Sequence, residues 1–263
     1  SLQGLQHLTL NFNSCTKISD EWLADVSPVL QSLSALQHLD LNFRMCERIS
    51  DQGLSNLSTA LQSLANLQLL ALNFGYYYGI SNQGLSCVST ALQSLPSLKH
   101  LVLNFCDCNQ IFDQGLGSLS TALQTLTSLQ HLDLNFGTCP KIVDRGLNSL
   151  STALQSLSSL QYLSLDFTSC VKISNLGLND LSTAFKSLRS LRHLALNFAY
   201  CNKISDQGLS SVSAALQFLS CLEKLTLHFK MCNQITLQGL NSITAALHSL
   251  PFLQYLSIKP EVK

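Results

Sequence analysis

Cysteine and histidine are the residues of this sequence best suited to chemistry, and both recur at a fixed spacing. Zinc ligands cluster at C-x-x-C or H-x-x-x-H spacing, and the one close cysteine pair, Cys106 with Cys108, has no second pair near it. One cysteine per repeat instead predicts a line of small, buried core side chains. Free thiols in a core favour a reducing compartment, so we expect a cytoplasmic protein. Seven of the ten cysteines lie 31 residues apart, or at twice that spacing: Cys15, Cys46, Cys108, Cys139, Cys170, Cys201 and Cys232.

Five of the seven histidines recur at the same 31-residue spacing. With Asp40 or Asp133 two residues further on, neighbouring imidazoles could bind a transition metal or act as acid and base. The alternative is a polar contact face, which the repetition favours, because catalysis normally needs one unlike group among others. No G-x-S-x-G, glycine-rich phosphate loop or H-E-x-x-H motif occurs. The sequence therefore predicts no enzyme, no metal site and no cofactor. The five histidines are His7, His38, His100, His131 and His193.

Charge is sparse and balanced. The chain has 263 residues, 15 basic and 15 acidic side chains and a net charge of zero, with only 11% charged residues. A nucleic-acid binder needs a basic face to displace counterions, and scattered single cations do not supply one. The apolar runs are too short for a membrane span of about 20 residues. We expect a protein partner, and neither nucleic acid nor membrane.

An internal repeat organises the whole chain. The dipeptide Asn-Phe at Asn42 returns every 31 residues, with Asp166 and His228 replacing the asparagine in two copies. Eight full copies are followed by an opening segment at residues 253–263, and no change of composition interrupts them. The sequence thus predicts one domain over residues 1–263.

Each copy begins with a short strand. Leu39, Leu41 and Phe43 alternate with Asp40 and Asn42, a period of two that sends one set inward and the other outward. The outward asparagines would stack as a hydrogen-bonded amide ladder, or form a row that binds sugar or peptide. Both readings are open at this stage.

A helix of about 13 residues is predicted after each strand. Ser50 is a capping residue, Asp51 suits the first turn, and Ile49 with Leu54 has the spacing of a hydrophobic staple. Gly53 begins a recurring glycine position, interpreted as a packing glycine near the helix start. The apolar stripe of this helix consists of Leu54, Leu57, Leu61 and Leu64.

The L-x-x-L-x-L strand followed by C-x-x-I-S-D-x-G-L resembles the cysteine-containing leucine-rich repeat of ribonuclease-inhibitor-like and F-box proteins. The resemblance implies an α/β, right-handed solenoid: an open horseshoe with a parallel sheet on the concave face and helices on the convex face. One departure is that four residues, not two, separate the last strand leucine, Leu41, from Cys46. The alternation predicts that this insertion adds one outward asparagine and one inward phenylalanine.

Variation among the copies indicates where a partner would bind. The core positions barely change, whereas the loops around the cysteine vary, and the run from Gly75 to Gly79 holds three tyrosines. Tyrosine is a typical contact residue, although drift at an exposed loop would give the same pattern. The predicted binding residues are His38, Asp40, His100, His131, Asp133, Tyr162 and His193 on the concave face, and Tyr76, Tyr78 and Tyr200 on the loop edge.

The function expected is a non-enzymatic scaffold that holds a macromolecular partner. The resemblance also implies a second role, as part of a substrate receptor of a ubiquitin ligase. A third is a structural protein that associates head to tail, because neither end of the array carries a clear polar cap. The alternative for the ends is that a longer parent chain supplies further repeats.

Overall fold

Nine strands alternate with eight helices in the part of the chain that the computed structural model describes, residues 2–76 and 79–260. The strands form one parallel sheet in chain order, with β1 and β9 at its two edges. We call each strand, with its following loop and helix, a row. The strands are β1 His7–Asn11, β2 His38–Asn42, β3 Leu69–Asn73, β4 His100–Asn104, β5 His131–Asn135, β6 Tyr162–Asp166, β7 His193–Asn197, β8 Lys224–Phe229 and β9 Tyr255–Pro260. The helices are α1 Asp20–Gln31, α2 Asp51–Leu61, α3 Asn82–Leu92, α4 Asp113–Leu123, α5 Asp144–Leu154, α6 Asn175–Phe185, α7 Asp206–Leu216 and α8 Leu237–Leu247.

Neighbouring strands are aligned at equivalent positions of the repeat. Leu41 pairs with Leu72, so each side chain lies beside its own equivalent in the next row. The hydrogen-bonded ladder continues beyond the strands, since the Phe43 N–H donates to the Asn73 carbonyl at 2.8 Å. Leu39, Leu41 and Phe43 are all buried, which confirms the predicted inward set.

Stacked phenylalanines run through the core at the carboxyl ends of the strands. Successive ring centroids lie 5.4–6.1 Å apart, with interplanar angles of 10–20°. At such distances, offset aromatic rings attract one another in addition to excluding water. The added inward phenylalanine therefore forms a continuous stack from row 1 to row 8. Its members are Phe12, Phe43, Phe74, Phe105, Phe136, Phe167, Phe198 and Phe229.

Six of the seven recurring cysteines are buried core residues, as predicted, whereas the prediction is wrong for Cys15, and buried thiols also donate hydrogen bonds. The Cys139 thiol donates to the carbonyl of Phe105 in the preceding row at 3.3 Å, and Cys46 donates equivalently to Phe12 at 3.0 Å. A thiol must keep its proton to donate, and burial raises the pKa of Cys170 to about 12. In row 1, Cys15 is exposed.

The helices have eleven residues, or twelve in α1, and are thus shorter than the 13 predicted. The shortening has a local cause: after Leu61 the chain tightens, and the N–H of Ser63 bonds the carbonyl of Ala60 three residues back, at 3.1 Å. Leu64 consequently packs in the core just after the helix. At the other end, Ser50 caps α2 as predicted, accepting from the Gln52 N–H at 3.2 Å.

An aspartate or asparagine at the start of each of the helices α1 to α7 also caps the next helix. The Asp51 carboxyl accepts from the N–H groups of Ser81 and Gly84 at 2.8 and 2.9 Å, and from the Ser81 hydroxyl at 2.5 Å. The sequence predicted only a favourable contact of Asp51 with its own helix. Seven such contacts link the described rows: Asp20 to Ser50, Asp51 to Ser81, Asn82 to Phe112, Asp113 to Val143, Asp144 to Ser174, Asn175 to Ser205 and Asp206 to Thr236.

The recurring glycine is required by this capping contact. A Cβ atom added to Gly84 would lie 2.5 Å from the Asp51 carboxyl oxygen, and one added to Gly146 would lie 2.8 Å from that of Asp113. The interpretation as a packing glycine is therefore confirmed.

The sheet and the helices have different natural spacings, and this difference bends the array. Parallel strands lie about 4.8 Å apart, whereas packed helices need about 8–10 Å, so the sheet takes the concave side. With β1 and β9 unpaired to one another, the sheet is open. The predicted α/β horseshoe is confirmed.

Asp113 offers a clear test of the capping contacts, because the cap residue of α5, Val143, has no side-chain acceptor of its own. Asp113→Ala should lower the free energy of unfolding by about 1–2 kcal/mol, since the Val143 N–H loses its acceptor. Asp113→Asn should lower it far less, because Asn82 and Asn175 make the same contact. Urea denaturation measures both; equal losses would show that the negative charge matters rather than the acceptor.

Candidate functional site

The predicted concave residues lie on the solvent-facing side of the sheet, in two lines that cross the strands. The first line runs through the first residue of each strand and contains His38, His100, His131, Tyr162 and His193. Asp40 and Asp133 share the second line, two residues along. Tyr76 and Tyr200 lie in the loops after β3 and β7, and Tyr78 falls outside the described residues. The structure thus separates the predicted set into a sheet face and a loop edge.

Four of these residues form a continuous stack of rings. His131 lies flat against Tyr162, with centroids 3.9 Å apart and planes 4° apart. His100 stacks on the other side of His131 at 5.5 Å, and His193 meets Tyr162 edge-on at 5.7 Å. We call these four side chains the ring strip. His38 is not part of it, because Leu69 intervenes, and it contacts His7 at 4.1 Å instead.

Burial favours the uncharged form of the imidazoles in the ring strip. Burial, followed by the neighbouring His100 and His193, lowers the pKa of His131 to about 4. The pKa values of His100 and His193 are also lowered, in both cases mainly by burial. Within residues 2–76 and 79–260, no group of three or more His, Cys, Asp or Glu side chains could hold a metal ion. The strip is suited to aromatic and apolar contacts.

Two acidic side chains lie on the same face of the sheet as the strip, Asp133 two residues and Asp166 four residues further along the strands. Burial raises the pKa of Asp133, nearby Asp166 raises it further, and a hydrogen bond with Ser164 acts in the opposite direction. Asp166 accepts from the Thr168 N–H and from the Asn197 amide, both at 2.8 Å. Among the described side chains the one ion pair joins Arg192 to Glu223, so neither carboxyl group has a cationic partner.

A groove adjoins these carboxyl groups in rows 6 to 9, and no sequence motif pointed to it. It consists of two connected depressions of about 220 and 210 Å³, which share Ala195 and Thr226. We call it the concave groove. The sequence does contain a related pattern. The rows of the groove have small residues on the second line of the sheet, whereas row 4 has Val102 and row 5 has Asp133 at this position. Its floor includes Ser164, Ala195 and Thr226; one wall has Tyr162, His193, Lys224 and Tyr255, and the other has Asp166, Asn197 and His228.

The asparagines of rows 1 to 5 do not form the predicted amide ladder, and the one cross-row bond of this kind among the described residues is donated by the Asn197 amide to Asp166. The Asn104 side-chain oxygen accepts from the N–H of Cys106, two residues along its own chain, at 2.9 Å. Asn42 and Asn135 make the same local bond, which closes the turn after the strand. The local bond wins because the chain turns at this point and brings its own N–H within reach.

The loop edge has an unusual backbone. The residue before each recurring cysteine position is left-handed, with φ of 66° at Tyr76, 64° at Tyr200 and 57° at Thr138. This conformation lets the Tyr200 N–H reach the Lys230 carbonyl of the next row at 2.7 Å. Left-handed backbone costs a residue other than glycine, asparagine or aspartate about 1–2 kcal/mol. The eight residues are Ser14, Met45, Tyr76, Asp107, Thr138, Ser169, Tyr200 and Met231.

The tyrosines at this edge are available for contact. Tyr76 is 47% exposed and Tyr200 is 41% exposed, and the Arg44 guanidinium lies over the Tyr76 ring at 4.3 Å from its centroid.

Comparison with known proteins shows a likeness in fold only. No protein-family profile and no curated protein matches the sequence. Among solved structures, the chain is similar to one in the Rad7 and Elc1 complex of yeast, with 15% identity, a TM-score of 0.36 and coverage of 95% of this chain and 75% of that one. It is also similar to a chain of the TLR13–ssRNA13 complex, with 18% identity, a TM-score of 0.47 and coverage of 99% and 37%. Sequence identities and TM-scores this low give no information about the function of this chain.

The repeating unit itself defines the class of protein. Rows 2, 4, 5 and 7 each have an L-x-L strand, an asparagine-closed turn, a buried cysteine and a helix that returns to the next strand, and the other described rows vary this unit. The chain folds as a cysteine-containing leucine-rich-repeat solenoid, as predicted. Of the helices described, none is sufficiently long and apolar to cross a membrane.

The ring strip should make stability depend on pH. Between pH 6.5 and about 4 the unfolded chain binds a proton at His131 that the folded chain does not, so unfolding is favoured as the pH falls. His131→Leu, the residue of row 3 at this position, should lose less thermal stability than the wild type between pH 7 and pH 5. Melting curves at both pH values, with pH 8 as the baseline, measure this; the same pH dependence in both proteins would contradict the shifted pKa.

The left-handed loop positions should respond to residue type. Thr138→Asn should raise the free energy of unfolding by up to about 1 kcal/mol, because asparagine tolerates this conformation better than a β-branched residue. Asp107→Asn is the control, since aspartate is already tolerated there, and should change little. Chemical denaturation compares the two; no gain for Thr138→Asn would show that the loop conformation is not strained.

Proposed function

We propose that this protein is a non-enzymatic scaffold that binds a protein partner through the ring strip and the concave groove, with the tyrosines of the loop edge at its rim. The observation that carries the proposal is the continuity of the two features. Tyr162 and His193 belong to the ring strip and also form a wall of the groove. An uncharged aromatic surface therefore leads directly into a depression that side chains could enter.

The size and composition of this surface fit a protein partner. The ring strip and the groove together span rows 4 to 9, about 24 Å across the strands at about 4.8 Å per strand. Uncharged imidazole and tyrosine rings release water at little cost, and aromatic side chains dominate the energetic centres of protein interfaces. The acidic groups at Asp133 and Asp166 would repel a phosphate backbone.

A catalytic role has less support, because the same imidazole recurs along the strip and no single histidine stands out as an acid or base. The other expectations stay predictions: a cytoplasmic location, a single domain over residues 1–263, no cofactor, head-to-tail self-association, and a part in a ubiquitin-ligase receptor.

Filling the groove tests the proposal. Ala195→Trp places an indole on the floor between Ser164 and Thr226. Ala71→Trp is the matched control, because Ala71 occupies the equivalent position of β3, outside the groove. Partners are captured from native extract on the immobilised 263-residue chain, identified by mass spectrometry, and then measured as purified proteins by calorimetry.

We expect Ala195→Trp to weaken binding at least tenfold, equivalent to about 1.4 kcal/mol, and Ala71→Trp to bind as the wild type does. Thermal melting of both variants shows whether each is folded. Equal binding by the two variants, or equal loss, would exclude the groove as the interface.

A further inference from the structure

The concave groove has opposite charges at its two ends. Asp133 and Asp166 lie at the row 5 and row 6 end, without a cationic partner among the described residues. Lys224 lines the far end in row 8, and Lys259 lies on β9 beside His228. The ion pair of Arg192 with Glu223 involves neither lysine. The groove therefore presents an electrical polarity to whatever enters it.

Neighbouring strands set the distance between the two ends. Asp166 and Lys259 occupy equivalent positions of β6 and β9, and the three strand spacings between them amount to about 14 Å. An extended peptide advances about 3.3 Å per residue, so opposite charges three or four residues apart would match this separation. The whole strip and groove, about 24 Å, would accommodate about seven extended residues.

The aromatic neighbour adds a preference for a basic side chain at the acidic end. The pKa of Tyr162 is raised by burial and then by Asp133, which places this ring within the field of the carboxyl group. A cation that lies beside Asp133 would also be near the Tyr162 ring, and aromatic rings attract guanidinium groups. A nucleic acid has the wrong charge for this end, and a small amine would leave the ring strip uncovered.

We infer that the concave groove binds an extended peptide segment that places a basic side chain between Asp133 and Asp166 and, three or four residues away, an acidic group at Lys259. This inference rests on the proposed function, and it specifies the chemistry of the partner. Charge complementarity fixes the direction of the segment across the strands.

The chain itself supplies well-behaved variants for a test. Asp166→Asn restores the asparagine that rows 1 to 5 carry at this position, and asparagine can still accept from the Thr168 N–H. Combined with Asp133→Asn, it removes both charges with little change of shape. Asp40→Asn is the matched control, because Asp40 occupies the position of Asp133 in row 2, outside the groove.

The probe is a phage-displayed library of random heptapeptides, selected on the immobilised 263-residue chain. Selected peptides are synthesised and measured by fluorescence anisotropy against the wild type, the double variant, Asp40→Asn and Ala195→Trp. We expect the selected peptides to share a basic residue and, three or four positions away, an acidic one. Their affinity should fall at least tenfold for Asp133→Asn with Asp166→Asn and stay unchanged for Asp40→Asn.

Three results would overturn the inference in distinguishable ways. Peptides that Ala195→Trp blocks but that lack the charge pattern, or that bind the double variant as tightly as the wild type, would refute the charge inference and leave the proposed function intact. Peptides that bind Ala195→Trp unchanged would place the interface elsewhere. A library that yields no specific peptide would count against both proposals.

Discussion

The parallel sheet in fixed 31-residue register is the constraint on which the rest of the structure depends. Because Leu41 pairs with Leu72 and every other strand position pairs with its equivalent, each residue lies about 4.8 Å from the residue at the same position of the next row, which is often of the same type. Side chains that attract their own kind are therefore favoured, as in the stack that joins Phe105 to Phe136. Side chains that repel their own kind need a compensating contact.

Charge shows the second half of this rule. A line of aspartates one row apart would be repulsive, and Asp51, Asp113 and Asp144 are tolerated because each carboxyl group accepts hydrogen bonds at the start of the next helix, where the peptide dipoles favour an anion. Asn82 and Asn175 interrupt the line with neutral residues. The stacked histidines avoid mutual repulsion because burial lowers their pKa values and favours the uncharged form. Few charged residues fit such an array, which accounts for a charged fraction of 11%.

The sequence predicted the repeated parts of the structure better than the parts that differ between rows. Buried positions such as Cys139 and Phe136 accept one type of residue in each row, so periodicity alone identified them. The alternation of residue types predicted the correct face of the sheet for the asparagines. Spacing alone cannot show whether an amide forms a hydrogen bond along its own chain, as Asn104 does, or across rows. The concave groove depends on the volume above Ala195, which no pattern of residue types records.

The buried thiols have a consequence for how the opening of single rows could be observed. Cys108, Cys139, Cys170, Cys201 and Cys232 are enclosed in the core. Burial raises the pKa of the last four thiols, to about 11 at Cys232, and so favours their unreactive protonated form. Alkylation at these sites requires that a row first separates from its neighbours. The rate of modification at each cysteine would therefore report the local opening of its own row. Alkylation rates compared between cysteines would show how local stability varies along the array.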